Sequence, residues 1–169
     1  MALEMLVLLA FPALIAFAGA SDLLTMTISN RIQIALVVCF FAAATLAGVN
    51  AATIGWHLAA GMLVLVVGFT FFAFGWIGGG DAKLMAATAL WFGFTLEMVE
   101  YLLIGTVYGG LLTIFLISAR GYPLPATLSG QSWIARLHDQ KSGIPYGIAL
   151  AAAALTVFPK TSLFAAAVG

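Results

Sequence analysis

Long apolar runs separated by short polar breaks fill the chain, and this pattern predicts helices rather than strands. The first run covers residues 3–20, with Pro12 expected to kink it. A polar patch follows at residues 21–31: Ser21, Asp22, Thr25, Thr27, Ser29, Asn30 and Arg31. A second helix is predicted over about residues 32–48, a turn at 49–53 and a third helix over about 54–77. Trp56 and His57 lie near the outer edge of the third helix, where the pair reads as an interfacial anchor. Gly78-Gly79-Gly80-Asp81 then breaks the apolar pattern, because three glycines carry too large a backbone entropy cost to continue a helix. The local reading of Asp81 is an N-cap. A fourth helix is predicted over about 82–96, with Glu97 and Glu100 at its far end, and a fifth over about 99–118. Residues 119–143 form the one long polar loop, within which Trp133–Leu137 reads as a short interfacial helix. The sixth helix starts near Ile144-Pro145-Tyr146-Gly147 and runs to about Phe158, and Lys160 and a small apolar tail follow.

Composition turns these helices into membrane spans. Hydrophobic residues make up 64% of the chain and charged residues 7%, with a mean hydropathy of +1.17. A soluble domain carries about 25% charged residues, so this chain cannot cover a water-facing surface. The predicted fold class is all-α: a polytopic integral membrane protein of about six transmembrane helices. It forms a single membrane-embedded domain over residues 1–169, with loops at about 21–31, 78–83 and 119–143. Ala18-Gly19-Ala20-Ser21 imitates a signal-cleavage site, but Glu4 stands where a positive leader region would be, so the first run reads as a retained span. Cys39 is the single cysteine and reads as a small buried apolar residue, with no internal disulfide and no metal cluster.

Charge placement then selects the chemistry. With six spans, Arg31, Lys83, Arg120, Arg136 and Lys141 share one side and Lys160 alone occupies the other. The positive-inside rule makes the first side cytoplasmic. Asp22 and Asp81 fall on that side, at the ends of the first and fourth spans, while Glu97 and Glu100 fall on the opposite face. If the two aspartates meet at about 4 Å, they repel by about 4 kcal/mol at an effective dielectric near 20. That is worth about three pKa units, enough for the pair to hold one proton at neutral pH. Such a pair can take a proton from water with one carboxylate and polarise a peptide carbonyl with the other. Lys83 and Asn30 read either as groups that tune or orient the pair or as a positive-inside lysine and a turn residue. His138-Asp139 reads as a solvated loop, Phe69, Phe71, Phe72 and Phe74 as lipid-facing or packing residues, and Gly105, Gly109 and Gly110 as a site of close helix contact.

Three stretches carry a resemblance. Gly78-Gly79-Gly80-Asp81-Ala82-Lys83-Leu84 resembles the Gly-x-Gly-Asp-x-Lys motif of type IV prepilin peptidases, intramembrane aspartic peptidases whose relatives include the archaeal preflagellin peptidases. Ser21 through Arg31 is similar to that family's first-aspartate motif, with Ser29 where proline is usual. Lys141 through Ala149 is similar to the start of the family's last span. The resemblance implies that Asp22 and Asp81 are the catalytic dyad, with Gly78, Gly80, Lys83 and Asn30 as supporting motif residues. It implies cleavage, after a glycine, of the short basic leader of a prepilin or pseudopilin at the cytoplasmic face of the bacterial inner membrane. Larger members carry a zinc-binding Cys-x-x-Cys insertion and N-methylate the product. One cysteine leaves no such domain here, which implies no zinc and puts methylation in doubt; the size resembles the compact tight-adherence (Flp-type) peptidases. No cofactor and no nucleic-acid partner are expected. Two other classes compete: a small proton-coupled transporter, with His57, Glu97 and Glu100 completing a relay, and a catalytically silent pilus-assembly subunit.

Overall fold

The computed structural model describes residues 1–169 apart from the side chain of Ala126. All its regular elements are helical: α1 (Ala2–Thr25), α2 (Asn30–Leu46), α3 (Ala51–Ala73), α4 (Gly79–Phe92), α5 (Leu96–Arg120), α6 (Ala126–Ser129), α7 (Ser132–His138), α8 (Tyr146–Lys160) and α9 (Ser162–Val168). The all-α membrane architecture expected from the apolar runs is therefore present. By length and apolarity, α1, α3 and α5 can each cross a membrane, and α8 with α9, bent by 58°, can make a fourth crossing. The remaining two expected spans are shorter. At 1.5 Å per residue the 14 residues of α4 reach only about 21 Å. That length suffices because α4 is the centre of the bundle: Ala82, Leu84 and every residue from Ala86 to Phe92 are buried.

Neighbouring helices pack around α4, most closely α3, where Gly61 and Gly68 lie against Ala86 and Ala82. Trp91 anchors the core. Its indole Nε1–H donates to the Leu36 carbonyl of α2 at 3.0 Å, and its ring meets Phe11 of α1 at 4.6 Å and Phe40 of α2 at 6.0 Å. Phe158 of α8 closes the cluster by stacking on Phe11 at 4.0 Å.

Four boundaries differ from the sequence reading. First, α1 continues through the polar patch to Thr25. Thr25 Oγ1 donates to the Ser21 carbonyl at 2.7 Å and Ser21 Oγ donates to the Thr27 carbonyl at 2.9 Å, so the hydroxyls are satisfied along the helix instead of ending it. Pro12 is accommodated by a π-helical stretch, Met5–Ala10, one turn before the missing N–H. Second, α4 begins inside the glycine run. Gly78 is its N-cap and Asp81 is the third helical residue, so Asp81 is not the cap. Third, α4 stops at Gly93, four residues early. Fourth, the apolar tail is a helix, α9, which packs against the start of α1.

His57 also corrects the reading. It is no interfacial anchor: it is buried, and its Nδ1 lies 2.8 Å from the Leu90 carbonyl. The ring fills the space left by Gly93, whose φ of +69° and ψ of −168° suit only glycine. A Cβ there would sit 2.9 Å from the imidazole. Gly93→Ala is therefore expected to cost about 1–3 kcal/mol, read as a lowered thermal midpoint of the purified protein in detergent. Other readings match the structure: α7 covers the expected short helix, the four phenylalanines at the end of α3 are exposed, and Gly105 and Gly109 receive α8 side chains; Gly110, expected to join that contact, instead faces open space.

Candidate active site

Asp22 stands in the last turn of α1 and is 6% exposed. Its Oδ2 accepts a hydrogen bond from the backbone N–H of Gly147 at 2.7 Å. That donor exists because α8 starts at Tyr146. The first N–H groups of a helix have no intrahelical acceptor, and the positive end of the helix dipole favours a carboxylate there. The approach is too tight for a side chain. A Cβ on Gly147 would lie 2.9 Å from Asp22 Oδ2 and 2.7 Å from Ile28 Cδ1.

Asp81 stands in the first turn of α4, half-buried. Its carboxylate turns back toward the helix start, so that a Cβ on Gly78 would lie 2.7 Å from Oδ2. Gln33 of α2, buried, fixes the same segment by donating from Nε2 to the Gly80 carbonyl at 3.1 Å.

The two aspartates line the same two cavities. One, of about 280 Å³, lies between the α1–α2 turn and the Gly78–Gly80 backbone. The other, of about 710 Å³, is walled by Trp76, Tyr146 and Ile144 and is roofed by Arg136 and Ser142 of the long loop. Met26, which borders both, has the one positive φ of a non-glycine among the described residues, +57°, and it ends α1 directly after the Asp22 turn.

Arginines hold the loop over the site. Arg136 Nη1 donates to the Leu24 carbonyl at 2.8 Å, capping the C-terminus of α1. Arg120 donates from Nε to the Leu137 carbonyl and from Nη2 to the Gly143 carbonyl, at 2.8 and 2.9 Å. The expected supporting residues divide. Gly78 and Gly80 line the acid cavities, whereas Lys83 and Asn30 bond each other at 3.0 Å and line a separate groove. Glu97 and Glu100 lie at the other end of the bundle, where Glu100 pairs with Lys160. Among the described residues no three of His, Cys, Asp and Glu converge as a metal site.

Sequence reasoning named Gly147 and Tyr146 only as part of a motif and did not assign Arg136 to the site. Tyr146 reaches the larger cavity because Gly109 has no side chain: a Cβ at that position would clash with the Tyr146 ring and hydroxyl.

No curated protein and no solved structure matches the chain. Residues 9–119 match the model of the type IV leader peptidase family, a stretch that contains both aspartates and ends before Gly147. The chain belongs to the type IV leader peptidase family.

Proposed function

We propose that the chain is an aspartic prepilin leader peptidase whose acid–base pair is Asp22 and Asp81. The observation that carries this reading is that two carboxylates from helices far apart in the chain border the same pair of cavities. One carboxylate takes a proton from the attacking water, and the other donates its proton to the scissile carbonyl oxygen. The carboxyl that took the water proton then gives it to the peptide nitrogen while the other carboxylate takes a hydroxyl proton back from the tetrahedral adduct, so the C–N bond breaks, the amine leaves, the leader ends in a new carboxyl group and the pair again holds one proton. Gly147 holds Oδ2 of Asp22 in place, which fixes the plane of that carboxylate during the reaction.

The substrate is a prepilin or pseudopilin precursor: a short basic leader ending in glycine, followed by an apolar helix that stays in the bilayer. The positions of Arg31, Lys83, Arg120, Arg136 and Lys141 on the aspartate-bearing side support the reading that this side faces the cytoplasm, in a bacterial inner-membrane protein. Co-expression with a tagged precursor from the same host tests this reading. A shortened precursor on a gel, with a new N-terminus directly after the glycine, supports it; intact precursor at equal abundance of enzyme and substrate overturns it.

A shared proton also sets the pH response. The rate is expected to follow a bell, falling in acid as both carboxyls become protonated and in alkali as both become ionised. A rate measured in liposomes across this range that rises monotonically would rule out the pair as joint acid and base.

A further inference from the structure

The start of α8 reaches both acids. The N–H of Gly147 holds Oδ2 of Asp22. One residue earlier, the side chain of Tyr146 walls the larger cavity that both aspartates line. Of the two acids, it is Asp81 whose charge acts on the Tyr146 phenol. The phenol has a fixed seat. It lies over Gly109 of α5, where a Cβ would clash with the ring and the hydroxyl. A side chain carried on a helix and held by packing in this way places its polar tip more precisely than a loop residue does.

The hydroxyl at that tip bonds to nothing else in the protein. Among the described residues it has no hydrogen-bond partner, and it does not bond Asp81 although both face the same cavity. A phenol O–H is a donor that normally finds an acceptor once it is drawn away from water, so its acceptor lies in the cavity between the two groups. The other polar side chains on this cavity are less suited to that space. Thr113 Oγ1 already donates to the Gly109 carbonyl at 2.7 Å. Ser142 belongs to the long loop, Arg136 is engaged with the Leu24 carbonyl, and Trp76 is exposed.

Peptide hydrolysis by a pair of carboxyls has one oxygen that gains negative charge, that of the scissile carbonyl. A fixed donor aimed at this oxygen strengthens as the charge develops, and does so at little reorganisation cost because packing has already oriented it. We propose that the Tyr146 hydroxyl is this donor, a third catalytic group beside Asp22 and Asp81. This rests on the peptidase reading above. Tyr146 keeps its own proton throughout. It contributes a hydrogen bond, and the proton transfers remain those among the two carboxyls, the water and the peptide.

Cleavage of a tagged prepilin-type precursor by the purified protein in liposomes tests the assignment, with kcat and KM measured separately. Tyr146→Phe removes one oxygen that bonds no described residue, so its thermal midpoint should match that of the wild type. Its kcat is expected to fall about 10²-fold with KM within about twofold. Both limbs of the pH–rate bell should stay in place, because the carboxyl pair is untouched. A Tyr146→Phe enzyme with wild-type kcat overturns the donor and leaves the peptidase standing. A loss confined to KM does the same, since it marks a contact made equally in the ground state, and so does a displaced pH limb, which marks action through the carboxyls. A wild type that leaves the precursor intact overturns the peptidase reading and the donor with it. Should Tyr146→Phe melt early, fluorinated tyrosines at position 146 keep the side chain's shape while grading the acidity of the phenol. A kcat that varies with that acidity supports donation, and a kcat flat across the series overturns it.

Discussion

Asp22→Asn and Asp81→Asn are each expected to lower the cleavage rate by about 10²–10⁴-fold at unchanged membrane abundance. Each substitution keeps the shape of the side chain and removes the ability to carry or receive a proton. The two are not expected to multiply. Once one carboxylate is gone the other has no partner for the shared proton, so the double variant should be no slower than the worse single variant. Asp22→Asn also tests the Gly147 contact. An amide oxygen can still accept that N–H, so the variant should remain folded, and its inactivity can be assigned to chemistry. Cleavage rates of all three variants, with a thermal melt of each, make the comparison. Two independent losses that multiply would mean that the aspartates act in separate steps.

The second large effect is expected at Gly147. Its backbone N–H holds Asp22 at 2.7 Å, and a Cβ there would sit 3.0 Å from the Asp22 Cβ as well as 2.9 Å from Oδ2. Gly147→Ala must push α1 and α8 apart or turn the carboxylate. A displacement of about 1 Å at a reacting group costs about 10²-fold, so a loss of about 10–100-fold in kcat is expected, with a greater loss for Gly147→Val. Gly110→Ala is the control. That position is on a helix, faces open space and lies away from the acids, so alanine should leave the rate unchanged. A Gly147→Ala enzyme as fast as Gly110→Ala would show that the Asp22 contact with α8 is dispensable.

These two positions also mark what the sequence could and could not reveal. Asp22 was legible because a carboxylate beside a membrane run is costly, and because the basic residues assign its side of the membrane. The helices were legible for the same reason: lipid forces long apolar runs. Gly147 was not, since its part is played by a backbone N–H, which has no side-chain signature. The usable signal was Pro145 at the start of an apolar run, which marks a helix beginning and hence free N–H groups in its first turn. His57 misled because a Trp-His pair near a span's edge resembles an interfacial anchor. Its burial depends on Gly93, far along the chain, leaving room for the ring. The end of α1 misled because Ser21 and Thr25 look like loop residues but bond to nearby carbonyls of the chain. The shortness of α4 follows from its central place, a property of the packed bundle that no window of its own residues contains.

The most direct test uses the purified protein alone, reconstituted in liposomes with a chelator and a tagged prepilin-type precursor, with products weighed by mass spectrometry. A single cut directly after the leader glycine is expected from the wild type, with no product from Asp22→Asn or Asp81→Asn. Continued cutting by either variant at near the wild-type rate, with the protein folded and equally abundant, would contradict a peptidase built on these two carboxylates.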